Sequence, residues 1–222
     1  MDPKEVADAQ AVIVANPIVA VLVVDSAGDA VPLAEALLEE GVKSMELTLR
    51  TAAAVEALKA IKKNVTAMCA GVGTVIFKEQ VAQIVEAGAD FAVSPGFNPS
   101  VAEEALKRDL PFAPGVATPS DIEGAISLGF RVLKYFPAEP IGGLAYLQSM
   151  AAPYMHLGLR FVPLGGLNAG NLRSYLESRL IGAIGGSWIA PREAIRNGDW
   201  ELIRSNAREA VRIMEEVRKV KA

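Results

Sequence analysis

Residues 18–41 read IVAVLVVDSAGDAVPLAEALLEEG, in which an apolar run of strand length is followed by an amphipathic stretch. The apolar run extends from Ile18 to Val24, a length typical of a buried strand. From Ala30 to Glu40 the apolar residues recur at helical spacing, and Gly41 follows where a helix commonly ends. The stretch therefore predicts one strand followed by one helix.

The same strand–helix pattern recurs along the rest of the chain. The apolar runs that we interpret as strands begin near Ile18, Ser44, Thr66, Phe91, Phe112, Arg131, Arg160 and Ala183. Their mean spacing of about 24 residues accommodates a strand, a crossover helix and two short loops. Eight such units predict an α/β protein, a single (β/α)8 TIM barrel domain over residues 1–222 with an N-terminal helical extension over residues 1–17.

Two other architectures have a similar alternation of elements. An open doubly wound sheet usually carries the pattern G-x-G-x-x-G after its first strand. The nearest match here, Gly71 to Ile76, lacks the third glycine and follows the third predicted strand. A leucine-rich solenoid requires a recurring L-x-x-L-x-L pattern, which the sequence does not contain. The pattern thus favours the barrel.

Composition excludes several classes of function. The formal net charge is −4, and no run of basic residues is present, so nucleic acid is not an expected partner. One Cys and one His leave too few ligands for a zinc or transition-metal site. We therefore expect no metal and no disulfide framework.

The chain shows no targeting or membrane signal. Acidic and basic residues occupy the first positions, where a secretory signal has a basic start and an apolar stretch. The apolar run at 18–24 is far shorter than the roughly 20 residues of a membrane-spanning helix. We expect a cytoplasmic protein with no membrane partner.

Polar side chains at the carboxyl ends of barrel strands are the first candidates for an active site. In the second predicted strand Glu46, Thr48 and Arg50 alternate with large apolar residues, which puts the three on one face. A carboxylate and a guanidinium on that face indicate a site in the mouth of the barrel. The alternative is an exterior face under a solvated loop.

Lys134 lies between apolar neighbours in the sixth predicted strand, on the same face as Val132 and Phe136. An ammonium among such residues loses hydration, which favours the neutral amine. A neutral amine is a nucleophile for ketones. The alternative is a lysine that extends outward to solvent from an exterior strand position.

Two glycine turns follow the last two predicted strands, at Gly165-Gly166 and at Gly185-Gly186-Ser187. Glycines at these positions let backbone N–H groups approach an anion near a helix N-terminus, and this pair of loops commonly binds phosphate in barrel enzymes. The alternative is that the glycines only form tight turns.

Six segments in order resemble the class I 2-keto-3-deoxy-6-phosphogluconate (KDPG) and 4-hydroxy-2-oxoglutarate (KHG) aldolases. The resemblance extends from about Ile18 to the final helix. The segments are Glu46-Leu47-Thr48-Leu49-Arg50-Thr51, Gly71-Val72-Gly73-Thr74-Val75, Ser94-Pro95-Gly96, Lys134-Tyr135-Phe136-Pro137-Ala138-Glu139, Gly165-Gly166 and Gly185-Gly186-Ser187-Trp188.

The resemblance implies a homotrimeric (β/α)8 barrel that cleaves a phosphorylated 2-keto acid through a Schiff base, without cofactor or metal, as in the Entner–Doudoroff pathway. Lys134 would form the Schiff base, and Glu46 would be the general acid and base. Arg50 and Thr74 would hold the pyruvyl carboxylate. The remaining substrate-binding residues implied are Pro95, Phe136, Leu164, Gly165, Gly166, Gly186 and Ser187.

Leu164 departs from the family pattern, because many gluconate-type members have threonine at this position. An apolar side chain cannot replace the hydrogen bond of a hydroxyl, so the preference for one C4 epimer is open. The alternative substrates are 4-hydroxy-2-oxoglutarate and the galactonate epimer. Two alternatives of another class are a phosphosugar isomerase or epimerase that uses the same glycine loops, and a non-catalytic trimeric scaffold.

Overall fold

Parallel strands alternate with helices throughout the computed structural model, which describes residues 2–221. The predicted domain bounds at residues 1 and 222 lie outside the described residues. The strands are β1 (Ile18–Leu22), β2 (Ser44–Thr48), β3 (Cys69–Gly73), β4 (Ala92–Val93), β5 (Phe112–Ala113), β6 (Gly115–Val116), β7 (Val132–Tyr135), β8 (Arg160–Pro163) and β9 (Ile184–Gly186).

A helix follows nearly every strand. The α-helices are α1 (Pro3–Ala9), α2 (Ala11–Val14), α3 (Ala30–Glu39), α4 (Ala54–Asn64), α5 (Lys78–Glu86), α6 (Pro99–Lys107), α7 (Pro119–Ser127), α8 (Gly143–Ala151), α9 (Ala169–Glu177), α10 (Arg192–Arg196) and α11 (Trp200–Lys221). Short 3-10 helices span Ala27–Asp29, Glu139–Ile141 and Ala152–Leu157. Among the described residues, no helix is long and apolar enough to cross a membrane.

The strands form two parallel sheets. One sheet has six strands in the order β5-β4-β3-β2-β1-β9, and the other has three in the order β6-β7-β8. Every ladder is parallel, from Val19 opposite Ser44 in the first sheet to Lys134 opposite Val162 in the second. The α/β class is therefore confirmed, with a curled parallel sheet.

Most predicted strand positions agree with the structure to within one residue. The third strand is an exception, since it begins at Cys69 and not at Thr66. The amide of Met68 donates to the carbonyl of Val65 (3.0 Å), so the chain turns there before the strand starts. The fifth predicted strand is divided into β5 and β6 at Pro114, which has no N–H for a ladder.

Local sequence signals explain where the helices begin and end. Thr118 caps α7, because its hydroxyl accepts from the amide of Asp121 (3.3 Å) while the Asp121 carboxylate accepts from the amide of Thr118 (2.9 Å). Pro119 then occupies the first turn. Gly41 follows α3 with a φ of +86°, a conformation that favours glycine. The end of α3 agrees with the sequence prediction.

Two buried clusters lie on the two faces of the strands. The larger cluster lies between the strands and the surrounding helices and includes Leu33, Leu58 and Ile203. The smaller cluster lies on the opposite face and includes Val19, Val162 and Ala183, together with Ile13 of α2. Helix α2 thus packs against the smaller cluster at one end of the strands. Polar side chains lie at the opposite, carboxyl end.

Candidate active site

A cavity of about 420 Å³ opens at the carboxyl ends of the strands. Its lining includes every site residue predicted from the sequence except Gly166 and Gly186. The lining residues are Val21, Glu46, Thr48, Arg50, Thr74, Pro95, Lys134, Phe136, Leu164, Gly165, Gly185 and Ser187. The structure therefore gathers residues from most of the strands into one site.

Glu46 and Lys134 form a buried ion pair at the base of this cavity. The Lys134 Nζ atom lies 3.1 Å from Glu46 Oε1, and the two side chains are only 6% and 3% exposed. Lys134 Nζ also lies 5.6 Å from the centroid of the Phe136 ring, within range of a cation–π contact. An amine and a carboxylate at this distance can exchange a proton directly.

The register of the strands brings this pair together. Glu46 is the third residue of β2, opposite Val21 of β1 and Gly71 of β3. Lys134 is the third residue of β7, and its amide donates to the carbonyl of Pro114 (2.9 Å). Both side chains therefore point to the interior, which excludes the exterior positions that the sequence left open for Glu46 and Lys134.

Gly73 makes room for the carboxylate of Glu46. A Cβ atom built on Gly73 would lie 1.7 Å from Glu46 Oε1, far inside van der Waals contact. The next residue, Thr74, has a φ of +62°, which is uncommon for a residue other than glycine. Backbone in this conformation often marks a functional site. The end of β3 is thus shaped around Glu46.

Arg50 and Thr74 lie at the rim of the cavity. The Arg50 side chain is exposed, and within residues 2–220 its guanidinium has no ion-pair partner. The Thr74 hydroxyl makes no hydrogen bond to another described residue. Both groups are therefore free to bind a carboxylate beside Lys134.

The two glycine turns meet the cavity from its other side. The backbone N–H groups of Gly165 and Gly166 make no hydrogen bond to any described residue, and the same holds for Ser187. Gly165 and Gly166 have φ values of +95° and +83°, which favour glycine. Asn168 caps α9 immediately afterwards. The turn thus presents free N–H groups near a helix N-terminus.

The two glycines of each turn have different surroundings. Gly185 lines the cavity, whereas Gly186 is buried and faces Trp188, whose Nε1 would lie 2.7 Å from an added Cβ. Gly166 likewise packs against Glu139 and not against the cavity. Adjacent glycines give no period-two signal, so the sequence does not show which of them faces inward.

Two further lining residues carry weak sequence signals. Thr48 shares its face with Glu46, but its hydroxyl donates to the carbonyl of Leu22 (2.9 Å) and so joins β1 to β2. Val21 belongs to the apolar run of β1 and has no chemical feature that would single it out.

Across the described residues, no group of three or more His, Cys, Asp or Glu side chains is arranged to hold a metal ion.

Comparison with known proteins identifies the family. The model for "KDPG and KHG aldolase" matches residues 9–206. The "KHG/KDPG aldolase" of Escherichia coli is 41% identical over 203 residues, which cover 91% of this chain and 94% of that protein.

Two solved structures resemble this chain along nearly its whole length. One is KDPG aldolase from Legionella pneumophila with pyruvate captured as a covalent carbinolamine intermediate (TM-score 0.86, 37% identity, 91% of this chain and 97% of that one). The other is the KDPG aldolase of Zymomonas mobilis with 3-phosphoglycerate (TM-score 0.84, 38% identity, 91% and 94%). The chain belongs to the KDPG and KHG aldolase family.

Proposed function

We propose that this protein is a class I aldolase that cleaves 2-keto-3-deoxy-6-phosphogluconate into pyruvate and D-glyceraldehyde 3-phosphate. Lys134 forms the Schiff base, and Glu46 carries the protons. The observation that supports this most directly is the buried contact of 3.1 Å between Lys134 Nζ and Glu46 Oε1 in the cavity. Membership of the aldolase family supports the same reaction.

The reaction begins with attack of the neutral Lys134 amine on the C2 ketone. Glu46 Oε1 is close enough to accept the proton that the ammonium must lose. The protonated Glu46 returns this proton to the hydroxyl of the resulting carbinolamine, which leaves as water, and the iminium that forms draws electrons from the neighbouring C3–C4 bond. The apolar ring of Phe136 beside Lys134 Nζ limits hydration of the cation.

Glu46 then acts at C4. Its carboxylate takes the proton of the C4 hydroxyl while the C3–C4 electron pair moves into the iminium, which gives the enamine of pyruvate and an aldehyde. The protonated Glu46 returns a proton to C3, and hydrolysis of the imine releases pyruvate and Lys134. One carboxylate serves both steps because its protonation state alternates.

The two ends of the substrate have separate binding groups in this proposal. Arg50 and Thr74 bind the carboxylate next to the ketone, supported by their free polar groups at the rim. The turns at Gly165-Gly166 and Gly185-Gly186-Ser187 receive the distal phosphate, supported by the free N–H groups of Gly165, Gly166 and Ser187. Pro95 and Leu164 complete the wall between these ends.

Substrates that differ beyond C3 fit the same chemistry. KHG is shorter and has no phosphate, and the galactonate epimer differs only at C4. The two readings of another class, an isomerase or epimerase and a non-catalytic scaffold, have no need of a buried lysine beside a carboxylate. The geometry therefore favours the aldolase.

The architecture and assembly complete the proposal. One closed (β/α)8 barrel domain is supported by Phe161 of β8, which forms a parallel bridge with Ile181 shortly before β9, and by Pro114 as the junction between β5 and β6.

We further propose a cytoplasmic homotrimer, as the family resemblance implies. Sedimentation equilibrium should then give a mass near three times 23.4 kDa. A mass near that of one chain would contradict the trimer.

The decisive experiment is reduction with borohydride in the presence of pyruvate. Intact mass and peptide mapping should show one reduced pyruvyl group at Lys134. Lys134→Met should abolish the label, whereas Lys59→Met, which removes an exposed lysine paired with Glu56, should retain it. A label that maps to another lysine, or no label under conditions that trap a known class I aldolase, would refute the assignment.

A further inference from the structure

Glu139 is the last residue of the segment that begins at Lys134, and the proposed reaction gives it no role. It starts the short 3-10 helix that follows β7. Its Oε1 atom accepts a hydrogen bond from the hydroxyl of Tyr175 in α9 (2.5 Å). The Tyr175 side chain is 1% exposed, so this carboxylate is the partner of a buried phenol.

We propose that Glu139 and Tyr175 form a positioning pair that holds the Gly165-Gly166 turn in the geometry that binds the distal phosphate. The pair touches neither the ketone nor Lys134, and it acts through the loop after β8. This inference rests on the proposed function, and it adds residues that set the affinity for phosphorylated substrates.

Backbone hydrogen bonds tie Glu139 directly to this turn. The amide of Ala138 donates to the carbonyl of Leu164 (2.7 Å), and the amide of Glu139 donates to the carbonyl of Gly165 (3.0 Å). These two bonds continue the contact between β7 and β8 beyond the ends of both strands. The position of Gly165 therefore depends on where Glu139 lies.

Side-chain packing fixes the next residue of the turn. A Cβ atom on Gly166 would lie 2.6 Å from the Cβ of Glu139, so the stem of Glu139 rests on the bare backbone of Gly166. On the other side of the turn, the side-chain Nδ2 atoms of Asn168 and Asn171 donate to the carbonyl of Gly166 (3.3 and 3.1 Å). Gly166 is thus held between Glu139 and the start of α9.

The phenol of Tyr175 also controls where the negative charge of Glu139 points. Burial raises the pKa of Tyr175, so its hydroxyl keeps its proton and donates to Glu139 at neutral pH. A carboxylate free to swing toward the N–H groups of the turn would repel a bound phosphate. The hydrogen bond keeps the carboxylate turned toward α9.

Two substitutions remove the pair, and two others serve as controls. Tyr175→Phe removes the donor at nearly constant volume, and Glu139→Ala removes the acceptor and the stem on Gly166. Glu139→Gln retains a carbonyl oxygen that can accept from Tyr175, so this variant should keep the wild-type affinity for the phosphorylated substrate. Tyr154→Phe is the matched control, since its hydroxyl donates to Glu123 (2.8 Å) on the exposed surface.

The measurement compares the phosphorylated substrate with pyruvate alone. We expect the KM for 2-keto-3-deoxy-6-phosphogluconate to rise about three- to tenfold in Tyr175→Phe and Glu139→Ala, which corresponds to the loss of one hydrogen bond. The half-saturating pyruvate concentration for borohydride trapping should change less than about twofold, because pyruvate has no phosphate for the turn to bind. Glu139→Gln and Tyr154→Phe should match the wild type in both assays.

Three outcomes decide the matter. An equal rise for phosphorylated substrate and pyruvate would indicate a general structural role and overturn the inference. No rise in either loss variant would overturn it as well. If the wild-type protein traps no pyruvate at Lys134, the proposed function itself fails, and the variants then have no bearing on a phosphate site.

Discussion

Glu46 and Lys134 are separated by 88 positions in the chain, yet Glu46 Oε1 and Lys134 Nζ lie 3.1 Å apart. Each residue alone is ambiguous, because a polar residue in a strand can face either the interior or the solvent. The contact removes the ambiguity, since burying a carboxylate or an ammonium alone is costly and pairing them offsets that cost. Because a buried ion pair adds little net stability, we interpret this pair as part of a reaction site.

Glu46→Gln tests the division of roles within the pair. The amide preserves the shape of the side chain and removes the proton carrier. Imine formation with pyruvate should persist, because water can also take the proton of Lys134, while turnover falls by about 10² to 10⁴. Borohydride trapping measures the first step and steady-state cleavage measures the second. Glu56→Gln, an exposed control, should be unaffected. Cleavage at a near-normal rate in Glu46→Gln would place the proton transfers on another group.

Leu164→Thr tests the control of stereochemistry at C4. Leu164 is 4% exposed, lines the cavity and packs so closely on β9 that a Cβ on Gly185 would lie 2.5 Å from its Cγ. A threonine hydroxyl there should raise the ratio of kcat/KM for the gluconate over the galactonate substrate, by at most about tenfold for one neutral hydrogen bond.

Leu164→Val is the matched control for this change, because valine has nearly the shape of threonine and no hydroxyl. If valine raises the ratio as much as threonine does, the cause is the smaller side chain and not a hydrogen bond. If the ratio stays constant or falls in Leu164→Thr, Leu164 does not set the preference.

Among the elements, β3 shows how a strand can be shaped by a neighbouring side chain. Its inward positions Gly71 and Gly73 lack side chains, and the space that they leave is occupied by Phe91 and by Glu46. Glycine weakens a strand, because it adds no packing and loses more backbone entropy on folding. Because these glycines lack side chains, the Glu46 carboxylate of β2 can lie close to the backbone of β3.

Gly73→Ala should therefore impair catalysis strongly, although it adds only one methyl group. The new methyl group would overlap Glu46 Oε1, so the carboxylate has to move away from Lys134. We expect kcat to fall at least about tenfold, with a smaller effect on pyruvate trapping. Gly96→Ala is the control, since no atom lies within 4 Å of the Cβ built there. Equal activities in the two variants would show that Glu46 has room to adjust.

The elements also show what the sequence can and cannot predict. Hydrophobic patterning locates the first residue of β1 and of β2, because both strands are buried along almost their whole length. It misplaces the start of β3, where apolar residues continue back through the turn at 65–68. The inward orientation of Lys134 depends on its register with β6 and β8, which one strand cannot encode alone.

At the scale of the whole molecule, helix α11 packs between α3 and α9. Its buried residues Ile203 and Ala207 belong to the larger of the two buried clusters. Arg208 pairs with Glu40 at the end of α3, and Arg173 of α9 pairs with Glu216. Exposed pairs of this kind contribute little stability, so the apolar face of α11 provides most of the attachment.

The two sheets are joined at the opposite end by one side chain, that of Gln10. Its Nε2 atom donates to the carbonyls of Phe112 in β5 and Val132 in β7 (2.6 and 2.7 Å). Its Oε1 atom accepts from the amides of Arg131 and Val132 (2.7 and 2.9 Å). Gln10 is 1% exposed, and its amide thus satisfies strand ends that belong to different sheets.

Gln10→Met should destabilise the protein without impairing its chemistry. Methionine fills a similar volume and leaves buried N–H and C=O groups without partners, at a cost of about 1 to 3 kcal/mol for each group that water does not reach. We expect the free energy of unfolding in urea to fall by about 3 kcal/mol. The kcat at 25 °C should stay within about twofold, because Gln10 contacts the first residues of β5 and β7, at the end of the strands away from the cavity. Gln148→Ala, an exposed glutamine in α8, provides the baseline. If both variants unfold at the same urea concentration, Gln10 does not join the two sheets.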